Sequence, residues 1–152
     1  MSRPPAEGED VILAVLLTRE FLGRFLENRV FAEFQLSDPQ YNLLRILRGG
    51  PEGGYLVQDI RRRMLYRFAD VSRLAIRLEA QGLVRRREDP GDRRGVRVSI
   101  TDEGRALTER VGAVEAQAVR EVARVFDAGE RAALLGLLDR LRDALRSEAD
   151  RG

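Results

Sequence analysis

The sequence contains no cysteine, no histidine and no lysine, so all 27 of its basic residues are arginine. Without cysteine there are no thiolate zinc sites, iron–sulfur clusters, disulfides or peroxide-sensing thiols. Without histidine the usual general base and the commonest metal ligand are missing, and without lysine so are Schiff-base chemistry and a phosphate-loop lysine. Only carboxylates, hydroxyls and guanidinium groups remain for chemistry. We therefore expect neither an enzyme with catalytic residues nor a cofactor or metal site.

Long apolar runs are also absent. The longest, residues 11–17, has seven residues, whereas a membrane-spanning helix needs about 20. It follows acidic residues and not a basic leader, so we expect a soluble cytoplasmic protein without a membrane partner. A chain of 152 residues fits one domain and buries roughly 68–70% of its unfolded surface, which allows folding on a hydrophobic core alone.

Charge is distributed unevenly along the chain. Residues 36–110 carry 16 arginines and 11 acids, a net charge of +5, and the remainder carries 11 arginines and 14 acids, a net charge of −3. A basic middle thus lies between two acidic ends, which suggests that the middle contacts a polyanion.

Apolar periodicity predicts four helices in the first half of the chain. A long helix runs from Asp10 to about Phe34, and its broad apolar face needs more than one neighbour. Ser37, followed three residues later by glutamine, forms a capping-box pattern that starts the second helix. A short helix is predicted from Val57 to about Met64, and another from about Phe68 to Gln81.

The period changes from 3.6 to 2 after Gly82. Two short strands, residues 83–88 and 96–100, flank the polar turn DPGDRRG, a pattern typical of a β-hairpin. Thr101 is then predicted to cap a long helix, and Asp127 begins a second one with another capping box. Short helices followed by a hairpin, between long helices, indicate a winged helix-turn-helix on a dimerisation frame.

The helix before the hairpin is the candidate for entering the major groove of DNA. Asp70, Arg73 and Arg77 lie on the face opposite its apolar positions, with Ser72 near its N-terminus. The alternative is an ordinary Asp70–Arg73 surface pair, worth about 0.2–0.5 kcal/mol, beside a solvated Arg77.

The hairpin turn is the candidate for a minor-groove contact. Arg93 and Arg94 lie in a glycine-flanked turn, and arginine is favoured in a narrow minor groove by the negative potential there. Asp92 would orient Arg94 by a bidentate contact. A simple solvated turn remains the alternative for these charges.

Two further features of the basic middle stay open. The three consecutive arginines of residues 61–63 span about 200° of a helix at 100° per residue, so not all of them can face DNA. Ile76 is apolar on a face that should meet solvent or DNA, where it would either touch a thymine methyl group or pack against protein.

The segment from Leu36 to Arg105 resembles the multiple antibiotic resistance regulator (MarR) family of bacterial transcription factors. Its most specific marks are RLEAQGLV at residues 77–84, DPGDRR at 89–94 and ITDEGR at 100–105. The motifs cover about the middle half of the chain, and helix order carries the likeness to the rest.

The resemblance implies a mainly α fold, a winged helix-turn-helix with a two-stranded β-hairpin wing flanked by long N- and C-terminal dimerisation helices. It divides the chain into an arm and dimerisation helix (1–35), a DNA-binding region (36–101) and C-terminal dimerisation helices (102–152). The implied partners are double-stranded DNA, a second copy of the chain and a small-molecule effector, often aromatic and anionic. The implied function is a homodimeric regulator, a repressor bound to a pseudo-palindromic operator.

Carried over residue by residue, the resemblance puts Ser72, Arg73 and Arg77 on the recognition helix, and Asp92 and Arg94 on the Asp-x-Arg of the wing. Arg67 stands where the family usually has an Asp, Ser or Thr that caps a helix or touches phosphate. The candidate DNA-binding residues are therefore Arg67, Asp70, Ser72, Arg73, Arg77, Asp92, Arg93 and Arg94. No ligand-binding residue is assigned, although Tyr41, Phe21, Phe25 and nearby arginines are candidates for lining an effector pocket.

Two other classes of function are weighed against this one. A helical protein-interaction module with a winged fold would use its arginines for solubility and would not distinguish DNA sequences. A carboxylate-based hydrolase would need two acids about 5–10 Å apart across a cleft, and no pair in the sequence is predicted to lie so.

Overall fold

The computed structural model describes residues 8–66, 68–149 and 151, without the side chains of residues 92–94 and 149. Its internal contacts divide the chain into two compact units, one ending at Ala118 and one beginning at Val119, so that the boundary falls within a helix.

The first helix, α1, spans Glu9–Leu26 and is followed by a π-helical turn, Glu27–Phe31, and a 3₁₀ turn, Ala32–Phe34. The single regular helix predicted up to Phe34 is therefore wrong beyond Leu26. Val30 and Phe31 lie in the π turn and are both buried, whereas α1 itself contains no buried residue. The π turn therefore contains the residues that join the end of the predicted helix to the core.

Helix α2, Asp38–Arg48, begins at the predicted capping box. The Ser37 amide donates to Gln40 Oε1 at 2.8 Å, and the Gln40 amide donates to Ser37 Oγ at 3.4 Å. The helix buries three leucines almost completely: Leu43, Leu44 and Leu47. This amphipathic helix is the centre of the core.

A two-residue strand, β1 (Tyr55–Leu56), leads into the short helix α3 (Val57–Arg63), which matches its predicted span. Helix α4 covers Val71–Ala80. It starts three residues later than predicted, because the Asp70 side chain caps it by accepting a hydrogen bond from the Arg73 amide at 3.1 Å.

The predicted hairpin is confirmed as β2 (Val84–Asp89) and β3 (Asp92–Ile100), and β1 adds to it in the antiparallel order β1-β3-β2. At two residues β1 is too short for a period-2 pattern, so sequence analysis missed it. Gly54, with a φ of 74°, permits its approach, since a Cβ there would lie 1.9 Å from the Val98 carbonyl oxygen.

Helix α5 spans Asp102–Ala123, and α6 spans Ala128–Ala149. Thr101 caps α5 as predicted, accepting from the Gly104 amide at 3.0 Å. Asp127 and Glu130 exchange the two hydrogen bonds of the capping box that starts α6, at 2.8 and 2.9 Å. The predicted mainly α fold is thus confirmed, with three strands instead of two. Within the described residues, no helix is both long enough and apolar enough to cross a membrane.

Candidate nucleic-acid interface

Helix α4 is anchored on one side and free on the other. Val71, Ala75 and Leu78 are 0% exposed, because they repeat at i, i+4 and i+7 on the face that meets the core. The opposite face is exposed to solvent and carries Ser72, Arg73, Ile76 and Arg77. The core therefore fixes the orientation of α4 and leaves a rigid polar face for a partner.

Asp70 is the N-cap of α4 and not part of its helical face. Its carboxylate also lies 3.7 Å from Arg73 Nε, with the two side chains 57% and 80% exposed. The surface pair considered from the sequence is therefore present, and an exposed pair of this kind contributes about 0.2–1 kcal/mol at most. Such a weak contact leaves Arg73 able to turn toward a ligand.

The guanidinium group of Arg77 forms no ion pair or hydrogen bond with the described part of the chain. Ile76, 50% exposed on the same face, packs only partly against protein. The exposed face of α4 thus offers two guanidinium groups, a hydroxyl and an apolar contact, the set of groups that can contact phosphates, base edges and thymine methyl groups.

The three arginines of α3 differ in their contacts. Arg63 lies over the Tyr55 ring at 4.4 Å and donates to the Asp59 carbonyl at 2.9 Å. Arg62 pairs with the Asp59 carboxylate at 3.6 Å. The side chain of Arg61 is exposed and forms no ring contact, hydrogen bond or ion pair with the described residues. Arg61 is therefore the member of the run most available to a phosphate.

The hairpin turn is tighter than the seven-residue turn of the sequence pattern. Asp89 pairs with Asp92 across Pro90 and Gly91, and the register shifts between Glu88 and Asp89. The backbone of residues 92–94 belongs to β3, but the side chains of Asp92, Arg93 and Arg94 lie outside the described part, so the proposed Asp92–Arg94 contact does too. Arg67 also lies outside the described residues.

Sequence analysis missed the ion pair that braces the hairpin. Arg97 Nε and Nη2 donate to Asp89 Oδ1 at 2.9 and 2.7 Å, and Arg97 Nη1 donates to the Gly54 carbonyl at 3.0 Å. The sequence signal for this ion pair was a charged residue, Arg97, between two valines of a predicted strand. Hydrogen bonds of Arg97 thereby connect the hairpin turn with the segment before β1.

A cavity of about 480 Å³ lies between α1, α2 and the segment that leads to α4. Its apolar wall is formed by Leu16, Leu22, Leu26 and Leu65, and its polar groups include Arg19, Asp38, Tyr41, Asn42, Arg45, Tyr66 and Glu115. Of the aromatic candidates, Tyr41 lines the cavity, whereas Phe21 and Phe25 do not. Asn42 Oδ1 accepts from the Leu65 amide at 3.0 Å, which links the cavity directly to the α3–α4 segment.

Both tyrosines of this cavity are held protonated. Tyr41 donates to Glu115 Oε2 at 3.1 Å, and burial together with the negative charge of Glu115 raises the pKa of Tyr41 to about 12. Tyr66 donates to the Asp38 carboxylate, and burial and that hydrogen bond raise its pKa further. At neutral pH both hydroxyls therefore donate to carboxylates, and the cavity contains two guanidinium groups and three carboxylates.

Known proteins share this architecture and parts of this sequence. The MarR family model matches residues 34–95. The chain is 34% identical to the HTH-type transcriptional regulator PecS of Dickeya dadantii, an alignment that covers 91% of this chain and 85% of PecS.

Two solved structures share the fold along almost their whole length. The PcaV transcriptional regulator of Streptomyces coelicolor, in complex with its natural ligand, is 25% identical with a TM-score of 0.78, covering 95% of this chain and 99% of PcaV. BpsR of Bordetella bronchiseptica, whose DNA binding is regulated by 6-hydroxynicotinic acid, is 26% identical with a TM-score of 0.71, covering 86% of this chain and 98% of BpsR. PecS and PcaV are transcriptional regulators and not enzymes. The exposed recognition-type helix, the hairpin wing and these similarities agree, and the chain belongs to the MarR family of transcriptional regulators.

Proposed function

We propose that this protein is a homodimeric DNA-binding repressor of a pseudo-palindromic operator, and that a small molecule bound in the cavity behind α4 releases it. The observation that carries the DNA-binding proposal is the exposed face of α4, because its arginines project from a helix whose other face is completely buried. The net charge of +5 on residues 36–110 supports DNA binding as well, since arginines that bind phosphates release counterions from the DNA.

In this proposal, phosphate contacts position the protein and α4 contacts bases. Ser72, Arg73 and Arg77 contact the major groove, and Asp70 lies at the start of the helix. Arg67 contributes a phosphate contact, and Asp92, Arg93 and Arg94 form the wing contact in the minor groove. Arg61 adds a phosphate contact. A twofold dimer presents two equivalent helices, so the half-sites lie about one helical turn, roughly 34 Å, apart.

Exposed apolar side chains support the dimer. Helix α1 exposes a row of large apolar residues: Val11, Ile12, Leu13, Leu16, Leu17, Phe21 and Leu22. The unit beginning at Val119 exposes its own set, which includes Val122, Val125, Leu134, Leu135, Leu137 and Leu145. Clusters of this kind mark interaction surfaces in soluble proteins, and both sets lie on the helices that the sequence assigns to dimerisation.

An electrophoretic shift assay with the DNA upstream of the protein's own gene tests the proposal. Arg73→Ala should cost about 1–3 kcal/mol of binding free energy and relax sequence preference if Arg73 contacts a base. If it contacts phosphate, the loss is uniform across sequences and the salt slope falls by about one. Arg146→Ala, which removes the same charge from α6, is the matched control. Equal binding by both variants would remove Arg73 from the interface, and a wild type that shifts no DNA would favour the protein-interaction module instead.

The chemistry of the cavity supports an aromatic acid as the effector. Leu16, Leu22 and Leu65 offer apolar surface for a ring, and Arg19 offers charge for a carboxylate. Arg45 already lies 3.8 Å from the Glu115 carboxylate. The hydrogen bond from Leu65 to Asn42 gives a bound ligand a route to the segment before α4. Because a ligand shifts an equilibrium only through unequal affinity for two states, it must bind the DNA-free conformation more tightly.

The probe for this part is 6-hydroxynicotinic acid, the compound named for BpsR. It should lower DNA affinity of the wild type, and Arg19→Gln should weaken the response. Arg24→Gln, on the same helix but outside this cavity, should respond like the wild type. An equal response by the Arg19 and Arg24 variants would remove the cavity from the mechanism.

A further inference from the structure

The three consecutive arginines of β2 face two sides of the sheet. Arg86 lies on the side of α4, where it pairs with Glu79 at 3.5 Å. Arg85 and Arg87 face the opposite side, because side chains alternate along a strand. On β3 their partners in the register are Ser99 and Arg97, so the two strands bring these four residues together on one face.

These side chains line a second cavity of about 290 Å³, closed by Arg105 of α5 and by the segment at Glu52 and Gly53. The wall formed by that segment depends on Gly54, whose positive φ and missing Cβ let the chain approach β3. Arg97 is held at the cavity by its hydrogen bonds to Asp89 and to the Gly54 carbonyl. The cavity is thus a built concavity and not a loose cluster of surface side chains.

Three of the four arginines of this cavity have no ion-pair partner among the described residues. Within the described part of the chain, the guanidinium groups of Arg85 and Arg87 form no hydrogen bond and no ion pair. Arg105 donates only to the Arg48 carbonyl, at 3.4 Å. Two carboxylates in the lining lower the repulsion among these three groups, and a bound anion would lower it further.

We propose that this cavity is a phosphate-binding site for a small phosphorylated molecule that carries hydroxyl groups. The planar guanidinium groups of Arg85 and Arg87 match phosphate oxygens in bidentate contacts, and the Ser99 hydroxyl adds a donor. Two carboxylates, Glu52 and Asp102, also line the cavity. Carboxylates repel a bare polyanion but accept hydrogen bonds from hydroxyls, which favours a singly phosphorylated polyol.

A phosphate can come from a free molecule or from the DNA backbone. The cavity opens on the face of the sheet opposite α4, and a duplex that receives α4 in its major groove lies on the other side. The geometry therefore favours a free ligand, and the site is independent of the DNA contacts proposed above.

Titration calorimetry of the full chain with ribose 5-phosphate tests the site, with ribose as the probe that lacks the phosphate. We expect saturable binding of ribose 5-phosphate and none of ribose. Arg85→Gln and Arg87→Gln should each weaken binding at least about tenfold, the factor that corresponds to one charge-assisted contact. Arg86→Gln removes the same charge from the neighbouring position on the other face and should bind like the wild type. Thermal unfolding by circular dichroism confirms that the variants compared are folded.

A second measurement identifies the source of the phosphate. If the cavity recognises the DNA backbone and not a free molecule, the free protein does not bind ribose 5-phosphate, and Arg85→Gln and Arg87→Gln each lower the salt slope of DNA binding by about one, whereas Arg86→Gln does not. The site is overturned if the Arg85 and Arg87 variants match the Arg86 variant in both measurements. Because the calorimetric measurement contains no DNA, its outcome does not depend on whether the protein binds an operator.

Discussion

The segment from Val30 to Ala118 buries most of its large apolar residues, with Leu65, Phe68 and Ile76 as exposed exceptions, whereas the helices at either end leave theirs exposed. In the first region, Phe31, Leu43, Leu44, Ile60 and Leu78 are completely buried. In α1, by contrast, Phe21 is 67% exposed and Leu13 55% exposed. The helices of both regions are amphipathic in sequence, so the hydrophobic pattern alone does not show which of them are buried.

Apolar surface therefore has two roles in this protein: burial within one chain and burial against a second surface. Burial within one chain stabilises the winged region by itself and holds α4 rigid. Apolar residues left exposed in rows contribute nothing to the stability of a single chain, and a second surface must cover them before they do. The terminal helices are therefore the part of this protein whose stability should depend on protein concentration, and the central region should not.

The largest expected effect is in the central region. Leu44→Ala should lower the free energy of unfolding by about 2–5 kcal/mol, because it opens a cavity at a side chain that is completely buried. Urea unfolding measures this loss. Leu13→Ala on α1 is the control and should cost much less at protein concentrations where the chain is monomeric; equal losses would contradict the comparison.

The next effect concerns association. Phe21→Ala should weaken the proposed dimer by about 1.5–3 kcal/mol, the free energy of burying a phenylalanine, which corresponds to at least about tenfold in the dissociation constant. Sedimentation equilibrium over a range of concentrations measures it. Arg24→Ala on the same helix should leave the constant nearly unchanged. A wild-type chain that stays monomeric at high concentration would refute the role given to α1.

Removing a helix cap should cost less stability, and the cost should differ between the two regions. Thr101 is 7% exposed, accepts from Gly104 and donates to the Gly82 carbonyl at 2.8 Å, so Thr101→Ala should cost about 1–2 kcal/mol. Asp127 caps α6 from an exposed position, and Asp127→Ala should cost only about 0.5–1 kcal/mol. Thermal and urea unfolding compare the two. The reverse order would show that burial does not set the value of these caps.

The last effect appears only at high pH. The pKa of Tyr41 rises from 10.0 to about 12 in the folded protein, so the folded state binds this proton more tightly than the unfolded state. Its contribution to stability is complete below about pH 10 and is lost as the pH rises toward 12. Tyr41→Phe should flatten that decline in urea unfolding measured across this range. A decline of unchanged slope would mean that Tyr41 ionises alike in both states.

Local chemistry explains which elements could be predicted from sequence. The capping boxes at Ser37 and Asp127 and the period-2 strands around the hairpin turn depend on neighbouring residues. The structure has both caps where predicted, and it has the hairpin with a shorter turn, because β3 begins at Asp92. The π turn after Leu26 and the strand at Tyr55 could not be predicted, because both are set by contacts with distant residues: Val30 and Phe31 with the core, and Tyr55 with Val98.

The candidate site shows the same division. Sequence placed Asp70, Arg73 and Arg77 on one helix face. Arg73 and Arg77 are exposed there, whereas Asp70 is the N-cap of the helix. It could not distinguish Arg61 from Arg62 and Arg63, since their different contacts depend on where Asp59 and Tyr55 lie. It also could not find the pairing of Arg97 with Asp89, which depends on the register shift in the hairpin.

The amino-acid sequence by itself determined the class of fold, the absence of thiol, imidazole and amine chemistry, and the family to which the chain belongs. Each of these depends on residue type and short spacing, which the chain carries wherever it folds. Tertiary structure decided which apolar rows are covered and which are left exposed, which arginines are paired and which are free, and the two cavities. Those properties depend on distances between residues far apart in the chain, and only packing sets such distances.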